Sequence, residues 1–310
     1  MPVKDHNSNL PLFSILMSTY QRADRLPSAI RSIVKQQYPH WELILVNDGG
    51  EDISRITTSF FNSRITLLNF EENKGKSAAV NAAFRRARGE FIAYLDDDDE
   101  WLPNHLQVHY EYHTNNPATM FSHSDAHRVL FKRGQERNEG LASRDLVYTG
   151  PVGFPDLINC NRITWLSVVH RRECYAEVGG LDERLRTLED FDLWRRMSIR
   201  YDLHHIPEHT GNYFVHRQLE GQLTGLVQKA PLTFHAANVL IHRKAIPPAL
   251  KRKHGPELSA ARKKAYVEFL VARAKEYQTR GDERRRNSAL ALAKKMEPNL
   301  HHSPPTDGGS

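Results

Sequence analysis

A central, mostly parallel β-sheet flanked by helices, an α/β fold, is what the sequence predicts, and three observations carry the prediction. Short apolar runs alternate with amphipathic stretches through the first hundred residues, an order that implies crossover units between parallel strands. Three of the runs end in polar clusters: Thr19-Tyr20-Gln21-Arg22, Asn47-Asp48-Gly49 and Asp96-Asp97-Asp98-Asp99. The 310 residues, 39% hydrophobic and 26% charged, suffice for one large globular domain with an appendage.

Leu12 to Ser18 reads as a buried strand, and Asp24 to Gln36 as a helix with Leu26, Ile30, Ile33 and Val34 on one face. Trp41 to Val46 is the second strand, ended by the turn cluster Asn47-Asp48-Gly49-Gly50. A helix follows over Glu51 to Asn62, then a strand over Arg64 to Phe70. An Ala-rich helix spans Gly75 to Arg88, closed by Gly89. Glu90 to Leu95 is the fourth strand and runs directly into the aspartates. Beyond it, Thr119 to Phe121 and Arg128 to Phe131 read as short strands around a loop, and Lys132 to Pro155 as a long surface loop. Ile163 to His170 reads as a strand and Glu189 to Ile199 as a helix. Leu258 to Thr279 and Arg284 to Met296 are amphipathic and basic, and residues 297–310 read as a disordered tail.

Charge is unevenly placed. The net +6 conceals a local excess of +9 in residues 250–296, where 14 Lys or Arg face 5 Asp or Glu. That region suits an anionic surface, and the helices could touch the inner face of a membrane. No aromatic-basic recognition motif accompanies it, which argues against nucleic acid. Cys160 and Cys174 are too few for a disulfide framework and read as small core residues in a reducing compartment. The polar first residues lack a signal-peptide core, and no run reaches the roughly 18 apolar residues of a membrane span, so a cytoplasmic location is expected.

In an open parallel sheet, ligands bind at the carboxyl ends of the strands, where the three polar clusters lie. Four adjacent carboxylates repel one another, and a divalent cation such as Mg²⁺ or Mn²⁺, which prefers hard oxygen ligands, relieves that cost. The competing reading is that Asp99 and Glu100 cap a helix opening near Trp101, which accounts for two of the acids. Asp48 is either a turn residue before Gly49 or a carboxylate that accepts from a nucleobase. The helix entry Asn73-Lys74-Gly75-Lys76 offers backbone N–H groups and a cation to an anion, without P-loop spacing. Asp190, three residues after Thr187, is either a first-turn acid or a general base.

These segments together resemble the family-two inverting glycosyltransferases, nucleotide-diphospho-sugar enzymes with the GT-A fold. The resemblance lies in Pro11 to Arg22, Trp41 to Gly49, Asn73 to Asn81, Leu95 to Pro103, Val178 to Glu183 and Glu189 to Arg196, and covers roughly residues 10–220. It implies that Thr19, Tyr20 and Arg22 lie against the nucleotide, that Asp48 binds the base, and that Asn73, Lys76, Asp96 and Asp97 line the nucleotide-sugar site. It also implies that Asp96 and Asp98 end an Asp-x-Asp motif, with Asp98 the direct ligand of Mn²⁺ or Mg²⁺ and Asp190 the catalytic base. Four aspartates in a row leave Asp97 and Asp99 open as ligands. Of the family's Tyr-Arg-x-His element, Tyr213-Phe214-Val215-His216 lacks the Arg, and His216 is a further candidate ligand.

The implied organisation is a tail over 1–10, a GT-A domain over 11–220 with a donor half to 103 and an acceptor half after it, a basic helical extension over 221–296, and the terminal tail. The implied activity is transfer of a sugar from a nucleotide-diphosphate donor, a UDP-sugar first, to a glycan or lipid-linked glycan, with inversion. Trp165, Arg171, Arg172 and the 132–155 loop are candidates for the acceptor side. The alternatives are a nucleotidyltransferase acting on sugar phosphates and a non-catalytic nucleotide-sugar binding protein.

Overall fold

A computed structural model describes residues 10–131, 141–147, 150–215 and 230–298. The chain divides into two units, residues 1–220 and 221–310.

The first unit is built on β1 (Phe13–Thr19) and β2 (Trp41–Asp48), whose residues are buried on both faces almost without exception. Such continuous apolar runs belong in the middle of a parallel sheet covered by helices. β3 (Ile65–Phe70) and β4 (Phe91–Tyr94) extend it on either side, and the four strands run parallel in the order β3-β2-β1-β4. α1 (Leu26–Val34) buries Leu26, Ala29, Ile30 and Ile33, a stripe at helical spacing. α2 is a short turn of helix at Ser54–Ser59. α3 (Lys76–Arg86) buries Ala78, Ala79, Ala82 and Ala83, small residues that let it lie close to the sheet. Gly89 does not close that helix, which ends at Arg86. A Cβ at Gly89 would stand 2.6 Å from the Leu12 carbonyl oxygen and the Ser14 nitrogen, so this glycine permits close approach to β1.

The far half of the sheet departs from expectation. β6 (Phe121–Phe131) is one continuous strand where two short strands and a loop were expected, and β7 (Leu141–Val147) pairs antiparallel with it inside the expected surface loop. β8 (Val168–Arg171) is shorter than expected because Trp165–Ser167 forms a 3-10 turn. β9 (Leu203–Val215) was not anticipated, and α4 (His105–Asn115) opens four residues after Trp101, near where the competing reading placed a helix. Glu100 and Trp101 form the two-residue β5, paired with Asn212 and Gly211, so neither acid caps a helix at Trp101. Beyond β4 the order continues β8-β6-β9-β5. α5 (Arg172–Val178) ends at Gly179 in the left-handed conformation, and α6 (Glu189–Ser198) follows.

The second unit contains α7 (Pro231–Arg243), α8 (Pro248–Thr279) and α9 (Glu283–Met296) among the described residues. α8 starts ten residues earlier than its amphipathic pattern and kinks at His254, beside Pro256. Ala293 packs with Val267 and Leu270 between α8 and α9, and the Asp282 carboxylate caps α9 by accepting from the Arg285 N–H at 3.0 Å. No helix among the described residues is long and apolar enough to cross a membrane.

Candidate active site

β1, β2 and β4 are parallel, so their carboxyl ends lie on one edge and bring Thr19, Asp48 and the aspartate run together. Asp97 turns inward. It accepts from Thr19 Oγ1 at 2.6 Å and from Arg22 Nη1 at 3.0 Å, and it is 3% exposed. Burial, with the charges of Asp98 and Asp96, pushes its carboxyl up to about 6 against the pull of Arg22 and Thr19. Asp98 faces Arg22 at 3.1 Å and Arg25 at 3.5 Å. Asp99 accepts from the Phe214 N–H at 2.9 Å, which ties the end of β9 to the aspartates.

Asp96, Asp98 and Asp99 offer carboxylate oxygens that all lie within 4.8 Å of one another. Three hard oxygen donors in one place fit Mg²⁺ or Mn²⁺ and not a soft metal. Asp97 points to Thr19 and Arg22, and the carboxylates of Asp96, Asp98 and Asp99 converge. His216 lies outside the described residues.

Asp48 accepts two backbone hydrogen bonds, from Lys74 N–H at 2.7 Å and Gly75 N–H at 2.9 Å. It therefore holds the loop between β3 and α3 against the end of β2. Gly49 stands at φ +74°, and a Cβ there would meet the Glu72 carbonyl carbon at 2.3 Å. Tyr20, 41% exposed, and Asn73, also exposed, flank this corner with side chains open to solvent.

Lys76 is the centre of the arrangement. Its ammonium lies 2.7 Å from Asp96 Oδ1, 3.7 Å from Glu189 Oε1 and 4.6 Å from the centre of the Trp165 ring. Burial would discharge it, but the charges of Asp96, Glu189 and Asp190 outweigh burial and raise its pKa. Asp190 sits in the first turn of α6, two residues after Leu188, whose φ of +61° is unusual for a branched aliphatic residue. Its carboxylate accepts from its neighbour Phe191 N–H at 2.7 Å and from Asn161 Nδ2 at 2.8 Å. Burial first, then the Glu189 charge, push the Asp190 carboxyl up to about 7, while Lys76 and the Phe191 amide oppose them. A carboxyl near 7 is suited to proton transfer at neutral pH.

The structure thus joins Thr19, Arg22, Lys76, Asp96, Asp97, Asp98 and Asp190 in one network. It does not bring Arg171 or Arg172 there. Arg171 sits opposite Phe91, at the start of β4, where it bridges to Glu90 at 2.6 Å, and Arg172 donates to the Ala87 carbonyl. Both occupy the end of β4 away from the aspartates. Cys160 is exposed, contrary to expectation, whereas Cys174 is buried and its thiol is pushed up to about 12 by burial. Glu189, Arg25 and Asn161 belong to the network and were not anticipated. Glu189 stood in the quoted motif beside Asp190, but no local signal marks Asn161.

The description "Glycosyl transferase family 2" fits residues 14–169, about half of the chain. The chain is 30% identical over 211 residues to the putative colanic acid biosynthesis glycosyl transferase WcaA of Escherichia coli K12, covering 62% of this chain and 68% of that one. It is 41% identical over 98 residues to WfgD of Escherichia coli, described as a UDP-Glc:alpha-D-GlcNAc-diphosphoundecaprenol beta-1,3-glucosyltransferase, spanning 31% of this chain and 39% of that protein. The fold matches the crystal structure of S. aureus TarS 1-349 in complex with UDP-GlcNAc, with a TM-score of 0.61, 14% identity and 91% of each chain covered. The sheet order, the flanking helices and these matches agree on a GT-A architecture. The chain belongs to glycosyl transferase family 2, and it is a glycosyltransferase.

Proposed function

We propose that this glycosyltransferase takes its sugar from a nucleoside-diphosphate donor, a UDP-sugar first, and passes it with inversion to a glycan or lipid-linked glycan. The observation that carries this reading is Lys76, which faces the aspartate run through Asp96 on one side and the Glu189-Asp190 pair on the other. A donor site and a base therefore meet at one cation. The UDP-sugars named for WfgD and TarS support the choice of base.

Asp98 and Asp96 would hold Mn²⁺ or Mg²⁺, with Asp99 beside them. Bound there, the ion would neutralise charge on the diphosphate leaving group. Thr19 and Arg22 fix Asp97 and so hold the backbone of the run in place. Asp190 takes the proton from the acceptor hydroxyl. The acceptor oxygen forms its bond to the anomeric carbon as the bond from that carbon to the phosphate oxygen breaks, and the electron pair leaves with the nucleoside diphosphate. One in-line displacement inverts the anomeric centre. Lys76 stands beside both carboxylate groups and balances their charge.

The test is thermal stability with UDP, GDP, dTDP and CMP, each with and without Mn²⁺, on the native chain and on Asp98→Asn. A ligand at a hundred times its Kd stabilises by about 2.7 kcal/mol. We expect a Mn²⁺-dependent rise with UDP that Asp98→Asn abolishes. No rise with any nucleotide would remove the donor site as assigned.

A further inference from the structure

Asp190 is held by a residue from a distant loop. Asn161 lies between the 3-10 turns at Asp156–Ile158 and Trp165–Ser167, 29 positions before Asp190, and donates from Nδ2 to Asp190 Oδ2 at 2.8 Å. Its other end is also engaged, because Asn161 Oδ1 accepts from the Ile163 N–H at 3.1 Å. The two ends of the amide are therefore chemically distinguished. Turning it over would set oxygen against carboxylate and NH₂ against N–H, so the carboxylate always meets a donor.

We propose that Asn161 is a positioning residue for the transfer, fixing the Asp190 carboxylate in the orientation in which it receives the acceptor proton. The proposal rests on the reading of Asp190 as the base. Two donors from different parts of the chain define the plane of the carboxylate: the Phe191 N–H on Oδ1 and the Asn161 amide on Oδ2. A carboxylate oxygen accepts about two hydrogen bonds, so each oxygen keeps a lone pair for a substrate hydroxyl. The backbone leading into Asp190 is itself unusual, with Leu188 in the left-handed region, a conformation that persists only where the surroundings enforce it. Asn161 holds the Asp190 side chain from outside the helix.

The charged groups facing Asp190 are Glu189 from α6, Lys76 from α3 and Asp96 from the end of β4. Glu189 and Asp96 oppose ionisation, as burial does, and Lys76 favours it. A neutral amide that donates to the carboxylate adds to the side of Lys76 without adding a charge. A hydrogen bond to a charged group is strong enough that its loss moves the carboxyl upward by about one to two pH units. A residue that only packed the loop would leave that titration where it is.

The experiment uses the full chain with ¹³Cγ-labelled aspartate, and Asp190 is identified as the resonance missing from Asp190→Asn. In Asn161→Ala the Asp190 carboxyl should titrate about one to two pH units higher than in the native chain, and in Asn161→Asp higher still, because two carboxylates would share one site. Asn161→Ser keeps a donor, should shift less, and serves if the alanine variant does not fold. The acidic limb of UDP release from UDP-glucose and UDP-N-acetylglucosamine with Mn²⁺, water taking the place of the acceptor, should move by the same amount, while the UDP-induced thermal shift stays unchanged. An Asp190 resonance that titrates at one pH in all four chains would overturn the role of Asn161. Near-normal UDP release by Asp190→Asn would instead overturn the assignment of the base.

Discussion

Asp97, in the turn after β4, and His123, on β6 of the same sheet, are both almost fully buried, at 3% and 0% exposure, yet they are kept there in opposite ways. At the end of β4 the sheet gathers carboxylates and sets them against Arg22, Arg25 and Lys76. On α4, β6 and β8 imidazoles are buried instead. His105 meets Thr210 Oγ1 at 2.7 Å, His109 and His113 meet Ser122 Oγ at 3.0 and 2.9 Å, and His170 Nε2 meets the Tyr94 hydroxyl at 2.6 Å. His170 Nδ1 faces the Arg171 carbonyl at 2.7 Å, so it carries the proton and Nε2 accepts from Tyr94. Burial pushes His105 down to about 3 and His113, His123 and His170 down to about 4, which leaves them neutral at pH 7. Carboxylates are kept where cations face them, and imidazoles are kept neutral where burial dominates.

The sharpest way to break this contrast is Asp190→Asn. Loss of a general base should lower turnover by about 10²–10⁴-fold. Stability measured by urea unfolding should stay level or rise, because a neutral amide is cheaper to bury than a carboxylate. A variant that lost stability and kept its rate would put Asp190 with the structural polar groups.

Lys76→Met comes next. Removing one partner of a fully buried ion pair costs about 3–5 kcal/mol. The side chains of Lys76 and Asp96 are 19% and 26% exposed, so solvent screening reduces the loss to about 2–3 kcal/mol. The same unfolding measurement checks it. An unchanged stability would mean that solvent already compensates these carboxylates.

The smallest effect is on pH. The histidines have folded pKa values below the ordinary 6.5, so the unfolded chain binds protons first and stability falls as pH drops below about 6.5. Asp97 and Asp190 act in the other direction. Their folded values near 6 and 7 lie above the ordinary carboxyl range, so the folded chain binds protons first and gains stability over the same interval. Five imidazoles, His109 among them, stand against two carboxyls, and a net loss of about 2 kcal/mol is expected between pH 7 and pH 6 in metal-free buffer. A stability that rose on acidification would reverse the balance of the two halves.

The same contrast explains what could be read from the sequence. β1, β2, β3 and β4 are visible because their residues are apolar and their ends are marked by turn or acidic clusters. The extent of α4 is hidden because its buried face is His105, His109 and His113 in addition to Leu106, which gives no apolar stripe. β6 begins Phe-Ser-His-Ser-Asp, with Ser122, His123, Ser124 and Asp125 buried, so its inward residues read as a polar loop. β9 is interrupted by Pro207, Glu208 and Gly211. At the site, Thr19, Arg22, Lys76, Asp96 to Asp98 and Asp190 were legible because each lies at the end of a strand or the start of a helix. Asn161 was not, because only the tertiary fold brings its loop to α6.

Asp48 bears on attempts to redesign donor preference. Its two carboxylate oxygens hold the Lys74 and Gly75 amides, so replacing it would unfasten the loop before any nucleobase was discriminated. A library built on the proposed donor site would keep Asp48 and Gly49 invariant and vary Tyr20 and Asn73, the two open side chains at that corner.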